Sequence, residues 1–488
     1  MVSEATSNLL QDSGKEEHDD EEEEQQQLIW KKLWVETKKM WVVAGPAILT
    51  RVSMFGVFII AQAFIGHIGN IQLAAFSVVF HVLARFSLGI LMGMPSGLET
   101  LCGQAFGAKQ YHMLGIYLQR SWLMESGFFL LLIPIFIFSA PILKLLGQTE
   151  EITVMANIIS LWYIPIIFSY VFLYTLQMYL QIQSKNMIIT WLAAVTLFLH
   201  GFCSWILVDK MGLGIAGVMI SMNLASWVPI VGQLIFIFYG GCPLTWTGFS
   251  MLAFSDLWPV IKLSVSSGVM LCLEIWYNTL LILFTESSKN AEVTLDALSI
   301  CFYSKHTLIC RLNINGWGLM LSFGFLAAAS VRVSNELGRG SAKAAKFAIK
   351  VVVATSLIIG VVPWALVLAF RHKVSYIFSI SVKVANAFAD LSILLAVTLL
   401  LNSIQPVLSG VAVGAGWQSI VAYVNIICYY CVGLPLGLLL YYVFNQSVKG
   451  MWMGMIGGTF VQTLVLIYYR FLSKIQVELM IIESPFQH

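Results

Sequence analysis

Between Leu263 and Thr285 the chain reads LSVSSGVMLCLEIWYNTLLILFT, and its one carboxylate, Glu274, has eleven residues on either side. A run of that length is about what a helix needs to cross a hydrocarbon core. An ionised side chain at such depth costs ~2.5 kcal/mol or more, so Glu274 must face a polar cavity or take up a proton. Desolvation favours its neutral form. The chemistry open to it is therefore reversible binding of a proton or cation; the plainer alternative is a glutamate held by a neighbouring helix to fix packing. Ser267, Glu274, Asn278 and Thr285 follow one another by seven, four and seven residues, which aligns them on one helical face. Trp276 and Tyr277 flank that stripe. A single polar stripe on an apolar helix turns to a cavity or to another helix, not to lipid.

A second polar face lies further along. No Asp, Glu, Lys or Arg occurs from Leu391 to Val448, yet Asn402, Gln405 and Ser409 share a face at i, i+3 and i+7. Pro406 beside them removes a backbone hydrogen bond, the kind of helix break found at binding sites. This face reads equally as a site or as an interhelical amide clasp, the clasp worth only ~0.6–2 kcal/mol. The pair Leu176-Gln177-x-x-Leu180 echoes Ile404-Gln405-x-x-Leu408, and Gly103-Gln104-Ala105-Phe106-Gly107 echoes Ser334-Asn335-Glu336-Leu337-Gly338. Both echoes are offset by about 230 residues, as a six-plus-six duplication requires. Gln177 thus becomes a cavity candidate in the first half. Arg51 falls in the first apolar run, where it either snorkels to the surface, the favoured reading, or faces the cavity, and Arg85 falls in the second.

The elements that must position these groups are membrane spans. Hydrophobic residues make up 59% of the 488 residues and charged ones 11%, and the mean hydropathy is +0.84, whereas a soluble domain is about a quarter charged. Apolar runs of spanning length fall near 41–66, 73–95, 122–142, 157–180, 187–208, 215–239, 258–285, 313–332, 347–370, 388–411, 419–443 and 449–472. The fold class expected is an all-α membrane protein of twelve transmembrane helices in two pseudo-symmetric six-helix lobes, 41–240 and 258–472, joined by a linker at 241–257. Residues 1–40 read as a disordered acidic tail with a basic juxtamembrane segment, and 473–488 as a C-terminal tail. Lys31, Lys32, Lys38 and Lys39 before the first span, and Arg332, Arg339, Lys343, Lys346 and Lys350 after the eighth, place both termini in the cytoplasm.

Several motifs are decoys. Gly212-Leu-Gly214-Ile-Ala-Gly217 matches a dinucleotide fingerprint, but it opens a span instead of following a soluble strand. Cys428 and Cys431 sit inside NIICYYCVG without a His or second pair, so small buried hydrophobes are the reading and no metal site is expected. Hydrolase motifs of the H-E-x-x-H and G-x-S-x-G kind do not occur. With a net charge of +2, nothing points to a nucleic-acid partner.

Four strings together carry a resemblance: Leu98-Glu99-Thr100-Leu101-Cys102-Gly103-Gln104-Ala105-Phe106-Gly107-Ala108; Cys272-Leu273-Glu274; Val331-Arg332-Val333-Ser334-Asn335-Glu336-Leu337-Gly338; and Gln405-Pro406-Val407-Leu408-Ser409-Gly410-Val411-Ala412. The chain resembles, from about Trp41 to about Arg470, the MATE (multidrug and toxic compound extrusion) transporters, in the plant-type branch called DETOXIFICATION proteins. The resemblance implies two lobes around a central cavity and proton-coupled antiport of organic solutes, with no cofactor and no enzyme activity. It implies a monomer in a vacuolar or plasma membrane, a proton site at Glu274 with Asn278 and Asn402, and a substrate cavity with Ser267, Trp276, Tyr277, Gln405, Ser409 and Gln177. Many relatives carry an aspartate where this chain has Asn402, which leaves Glu274 as the main titrating group. A uniporter or anion channel on the same fold is the competing reading, and an intramembrane enzyme a distant third.

The chain departs from the family pattern once more. Leu298-Ser299-Ile300-Cys301 should run almost directly into Asn313-Ile314-Asn315-Gly316-Trp317, but Phe302 to Leu312 intervenes with Lys305, His306 and Arg311. Burying three cations would cost several kcal/mol. The stretch is expected to be expelled as a loop, and a retained intron would produce the same string.

Overall fold

The computed structural model describes residues 27–277, 316–370, 392–444 and 449–468. Among them the regular secondary structure is all helical, and twelve helices are long and apolar enough to cross a membrane: α1 (Gln27–Ile68), α2 (Asn70–Gly107), α3 (Tyr111–Ile137), α4 (Glu150–Ile182), α5 (Asn186–Lys210), α6 (Gly214–Gly241), α7 (Leu257–Tyr277), α8 (Gly316–Gly338), α9 (Ala342–Ala369), α10 (Ser392–Ala415), α11 (Gln418–Tyr442) and α12 (Lys449–Tyr468). Only a helix satisfies its own backbone groups in lipid, so runs of this hydropathy have no other stable open form. Phe302 to Leu312, Asn278, Asp390, the acidic residues of the tail and the 473–488 tail lie outside the described residues.

The twelve-span, two-lobe fold expected from the sequence is the one observed. Within the first half α1 packs on α5, α2 on α4, α3 on α4, α4 on α6 and α5 on α6; each pairing recurs six helices later, as α7 on α11, α8 on α10, α9 on α10, α10 on α12 and α11 on α12. The lobes meet where α1 and α2 pack on α8 and α7. Small residues allow that approach. A Cβ on Gly93 of α2 would stand 2.7 Å from the Gly268 Cα of α7, and Gly338 of α8 lies against the Gln104 carbonyl of α2.

Several ends differ from the expected runs. α2 continues from the expected 73–95 through Pro95 to Gly107, and α8 continues through the Ser334–Gly338 string. These extensions carry polar residues that water or the other lobe can satisfy, so hydropathy alone truncates them. α1 is already helical at Gln27, the first described residue and well before the apolar run, and it buries Glu36 and Met40. The described part of the segment expected as tail and basic flank is thus continuous with a membrane helix.

The linker between α6 and α7 is bound to the first lobe. Gln119 of α3 donates through Nε2 to the Gly248 carbonyl (3.0 Å) and accepts from the Ser250 N–H (2.9 Å). Arg120 donates to the Leu252 carbonyl at 3.1 Å. Asp256, with φ of 48°, marks the turn into α7.

Candidate functional site

Glu274 lies on α7 with 8% of its surface exposed. The Gln405 side chain of α10 comes close enough to interact with it, and Gln405 Nε2 donates to Ser409 Oγ at 3.2 Å one turn on. The helical spacing read from the sequence works here: i and i+4 stack Gln405 over Ser409. Asn402 is partly buried one turn before them on the same helix. Pro406 has no N–H to offer the Asn402 carbonyl four residues back, so the α10 ladder is broken beside this cluster.

A third helix completes the surroundings. α11 contains a π-helical stretch, Ile426–Gly433, and on it Tyr429 comes within electrostatic reach of Glu274. Single π turns commonly mark functional positions in helices. Tyr429 donates to Gln462 Oε1 of α12 at 2.8 Å, Gln462 donates to Asn425 Oδ1 at 2.7 Å, and Asn425 donates to the Met270 carbonyl of α7 at 3.1 Å. Tyr430 donates to the Leu273 carbonyl at 3.0 Å, next to Glu274 itself. The carboxylate therefore sits on a neutral chain of amides and phenols contributed by α7, α10, α11 and α12. Such a chain solvates either protonation state without a fixed countercharge. Asn425, Tyr429, Tyr430 and Gln462 are missing from the sequence reading; the only sign of them is the polar atoms scattered in an apolar run.

The remaining expected residues go elsewhere. Ser267 gives its hydroxyl to the Leu263 carbonyl of its own helix (2.9 Å) beside α2. Trp276 stacks on Phe86 of α2, with ring centroids 4.7 Å apart and planes 6° from parallel. Tyr277 is only 2% exposed, stacked on Tyr429 at 4.5 Å, and donates to the Met455 carbonyl. In this conformation it belongs to the core of the second lobe, where an expectation of cavity lining placed it at the surface of a space. Gln177 lies in the other lobe, with its Nε2 3.9 Å from Met54 Sδ. It borders a cavity of about 80 Å³ with Ser53, Tyr170, Thr196 and Gln233. Sites for drug-sized ligands occupy ~300–1,000 Å³, so this space admits such a solute only after the lobe opens.

Three more charges in the spans, Arg51, Glu99 and Glu125, have surroundings that the sequence reading did not give. Arg51 does not snorkel: it is 5% exposed, its guanidinium stands 5.9 Å from the Tyr174 ring centroid, and Glu99 of α2 lies within its electrostatic reach. A carboxylate and an aromatic face hold the cation inside. Glu99 also approaches Ser330 of α8. Glu125 on α3 is fully buried and has no hydrogen-bond partner among the described residues. These groups differ from Glu274 in kind. Glu99 lies within reach of the Arg51 cation and Glu125 has no hydrogen-bond partner among the described residues, whereas Glu274 has polar neighbours on α10 and α11.

Comparison with known proteins follows this geometry. The MatE family profile matches residues 46–206 and 266–439. Protein DETOXIFICATION 21 of Arabidopsis thaliana is 59% identical over 436 residues, covering 89% of this chain and 86% of that protein. Protein DETOXIFICATION 20 of the same plant is 56% identical over 463 residues, 95% of this chain and 91% of its own length. The crystal structure of the eukaryotic MATE transporter AtDTX14 superposes with a TM-score of 0.84 at 28% identity, over 92% of this chain and 99% of the other. A mutant of the Vibrio cholerae MATE transporter VcmN shares the fold, with a TM-score of 0.78 at 15% identity over 91% and 98% of the two chains. The match extends across both lobes, and the chain belongs to the MATE family of membrane transporters.

Proposed function

We propose that the protein exports organic solutes by proton-coupled antiport, with Glu274 as the group that exchanges protons and alternating access between the two lobes as the motion. The burial of Glu274 beside Gln405 carries this reading, because it sets an intramembrane carboxyl group against a proline-interrupted helix of the same lobe. Asn402 gives that helix a neutral amide, so one carboxylate serves where two would couple more steeply. Asn278 continues the α7 stripe, and Gln177 with its cavity provides a second polar wall in the first lobe. Lobes at 41–240 and 258–472, the linker at 241–257, cytoplasmic termini, a monomer, and a vacuolar or plasma membrane complete the proposal.

The energetics are sufficient. Each pH unit supplies about 1.36 kcal/mol per proton. A gradient of two units therefore sustains roughly a hundredfold solute gradient at one-to-one exchange. The test is solute uptake into proteoliposomes with internal and external pH set independently, across a panel of planar aromatic and cationic compounds. Accumulation that follows the pH gradient and reverses with it is the expected result. Solute flux that only equilibrates, whatever the gradient, identifies a uniporter or channel and rejects the proposal.

A further inference from the structure

One charged cluster lies far from Glu274. Near the ends where α1 begins and α8 finishes, Arg332 Nε donates to Glu36 Oε1 at 2.8 Å, and the Arg332 guanidinium also donates to Glu336 Oε1 at 2.7 Å. Arg339 donates to the same Glu336 oxygen at 3.0 Å. Arg332, Glu36 and Glu336 are 7%, 7% and 5% exposed, so these contacts are largely out of water. Glu36 belongs to the first lobe and Arg332 to the second. The same face holds other contacts between lobes: Gln418 Nε2 donates to Thr100 Oγ1 at 2.7 Å, and Asn335 donates to the Ile182 carbonyl at 3.4 Å.

We infer that Glu36 and Arg332 form a reversible latch that holds the lobes closed on this face, and that breaking it admits solute from that side. The arrangement of neighbours makes the latch reversible. A buried charge stripped of its partner costs several kcal/mol, which would normally make such a pair permanent. Here each side keeps a partner on its own helix. Lys39, three residues on from Glu36, has its Nζ 3.7 Å from Glu36 Oε2, and Arg332 retains Glu336 one turn away. Separation thus leaves Glu36 with Lys39 and Glu336 with two arginines. Lys39 is 48% exposed on its side chain, so it screens Glu36 without binding it tightly while the latch is shut.

The inference rests on the alternating-access part of the proposed function but not on proton coupling. Its test reads conformation with neither gradient nor solute present, so its failure and failure of antiport are separate results. Ser330 of α8 is fully buried, two residues before Arg332 and about 3 Å from it along the helix axis. In a protein whose native cysteines are replaced, Ser330→Cys reports access from this face to a membrane-impermeant maleimide. Glu36→Gln and Arg332→Gln should each raise the labelling rate about tenfold, and the double variant should equal either single one, as coupled partners do. Lys39→Gln should lower the rate, because it removes the partner that Glu36 keeps on separation. Equal labelling in all variants, multiplied effects in the double variant, or a rise with Lys39→Gln as large as that with Glu36→Gln would each overturn the latch. Should Arg332→Gln not fold, the comparison of Glu36→Gln with Lys39→Gln decides alone.

Discussion

Gln405 is the residue through which the reading of Glu274 can be probed without touching the carboxylate. It lies beside Glu274 and donates to Ser409, and leaving a buried polar group without a partner costs ~1–3 kcal/mol. Gln405→Leu should therefore lower gradient-driven transport by about tenfold or more while the protein remains inserted. An unchanged rate would reduce the Gln405 contact to packing. Asn402→Asp should be tolerated and steepen the pH dependence of transport, and Asn402→Leu should slow transport without disturbing insertion. If neither alters rate or pH profile, Asn402 is an interhelical clasp. The residues that sequence made visible are those whose partners share a helix: Gln405 and Ser409 stand four apart, and Glu274 stands alone in an apolar run. Tyr429, Gln462 and Asn425 meet Glu274 and its helix from other spans, more than 150 residues away along the chain. No local period records such a meeting. Arg51 was misjudged for the same reason, because Glu99 and Tyr174 approach it from α2 and α4.

At the scale of helices, the boundaries follow contacts as much as hydropathy. α2 and α8 run past their apolar cores because Gly107 and Gly338 let their polar ends meet across the lobes. Between α2 and α7 the spacing is tighter still, with Gly93 against Gly268. Gly93→Val should force these backbones apart; overpacking of this kind costs ~1–3 kcal/mol, read as a lower melting temperature in detergent. A melting temperature equal to that of the parent would show that the helices can part at no cost. Phe302 to Leu312 is the element that the family pattern leaves unexplained. Its deletion should give equal or better expression and transport, because the flanking strings then join and three basic groups leave the segment. A deletion protein that misfolds, with transcripts that always carry the stretch, would make it a structural loop.

For the molecule as a whole, twofold repetition explains why so much of the architecture was readable. Five helix pairings of the first lobe recur in the second, and the short echoes at Gln177 and Gln405 are the sequence trace of that repeat. The chemistry is not repeated. The second lobe places a carboxylate among amides and phenols, whereas the first surrounds its cavity with neutral side chains and carries Glu99 beside Arg51 and Glu125 alone. That asymmetry supports the proposal that proton exchange belongs to the second lobe and solute binding to the first. The most direct test is pH-driven solute uptake into proteoliposomes by three variants, Glu274→Gln, Glu99→Gln and Glu125→Gln, at matched protein density. The account expects Glu274→Gln to lose the gradient-driven component while remaining folded and inserted, and Glu125→Gln to keep it. Wild-type pH dependence in Glu274→Gln, or its loss in Glu125→Gln alone, would contradict the account.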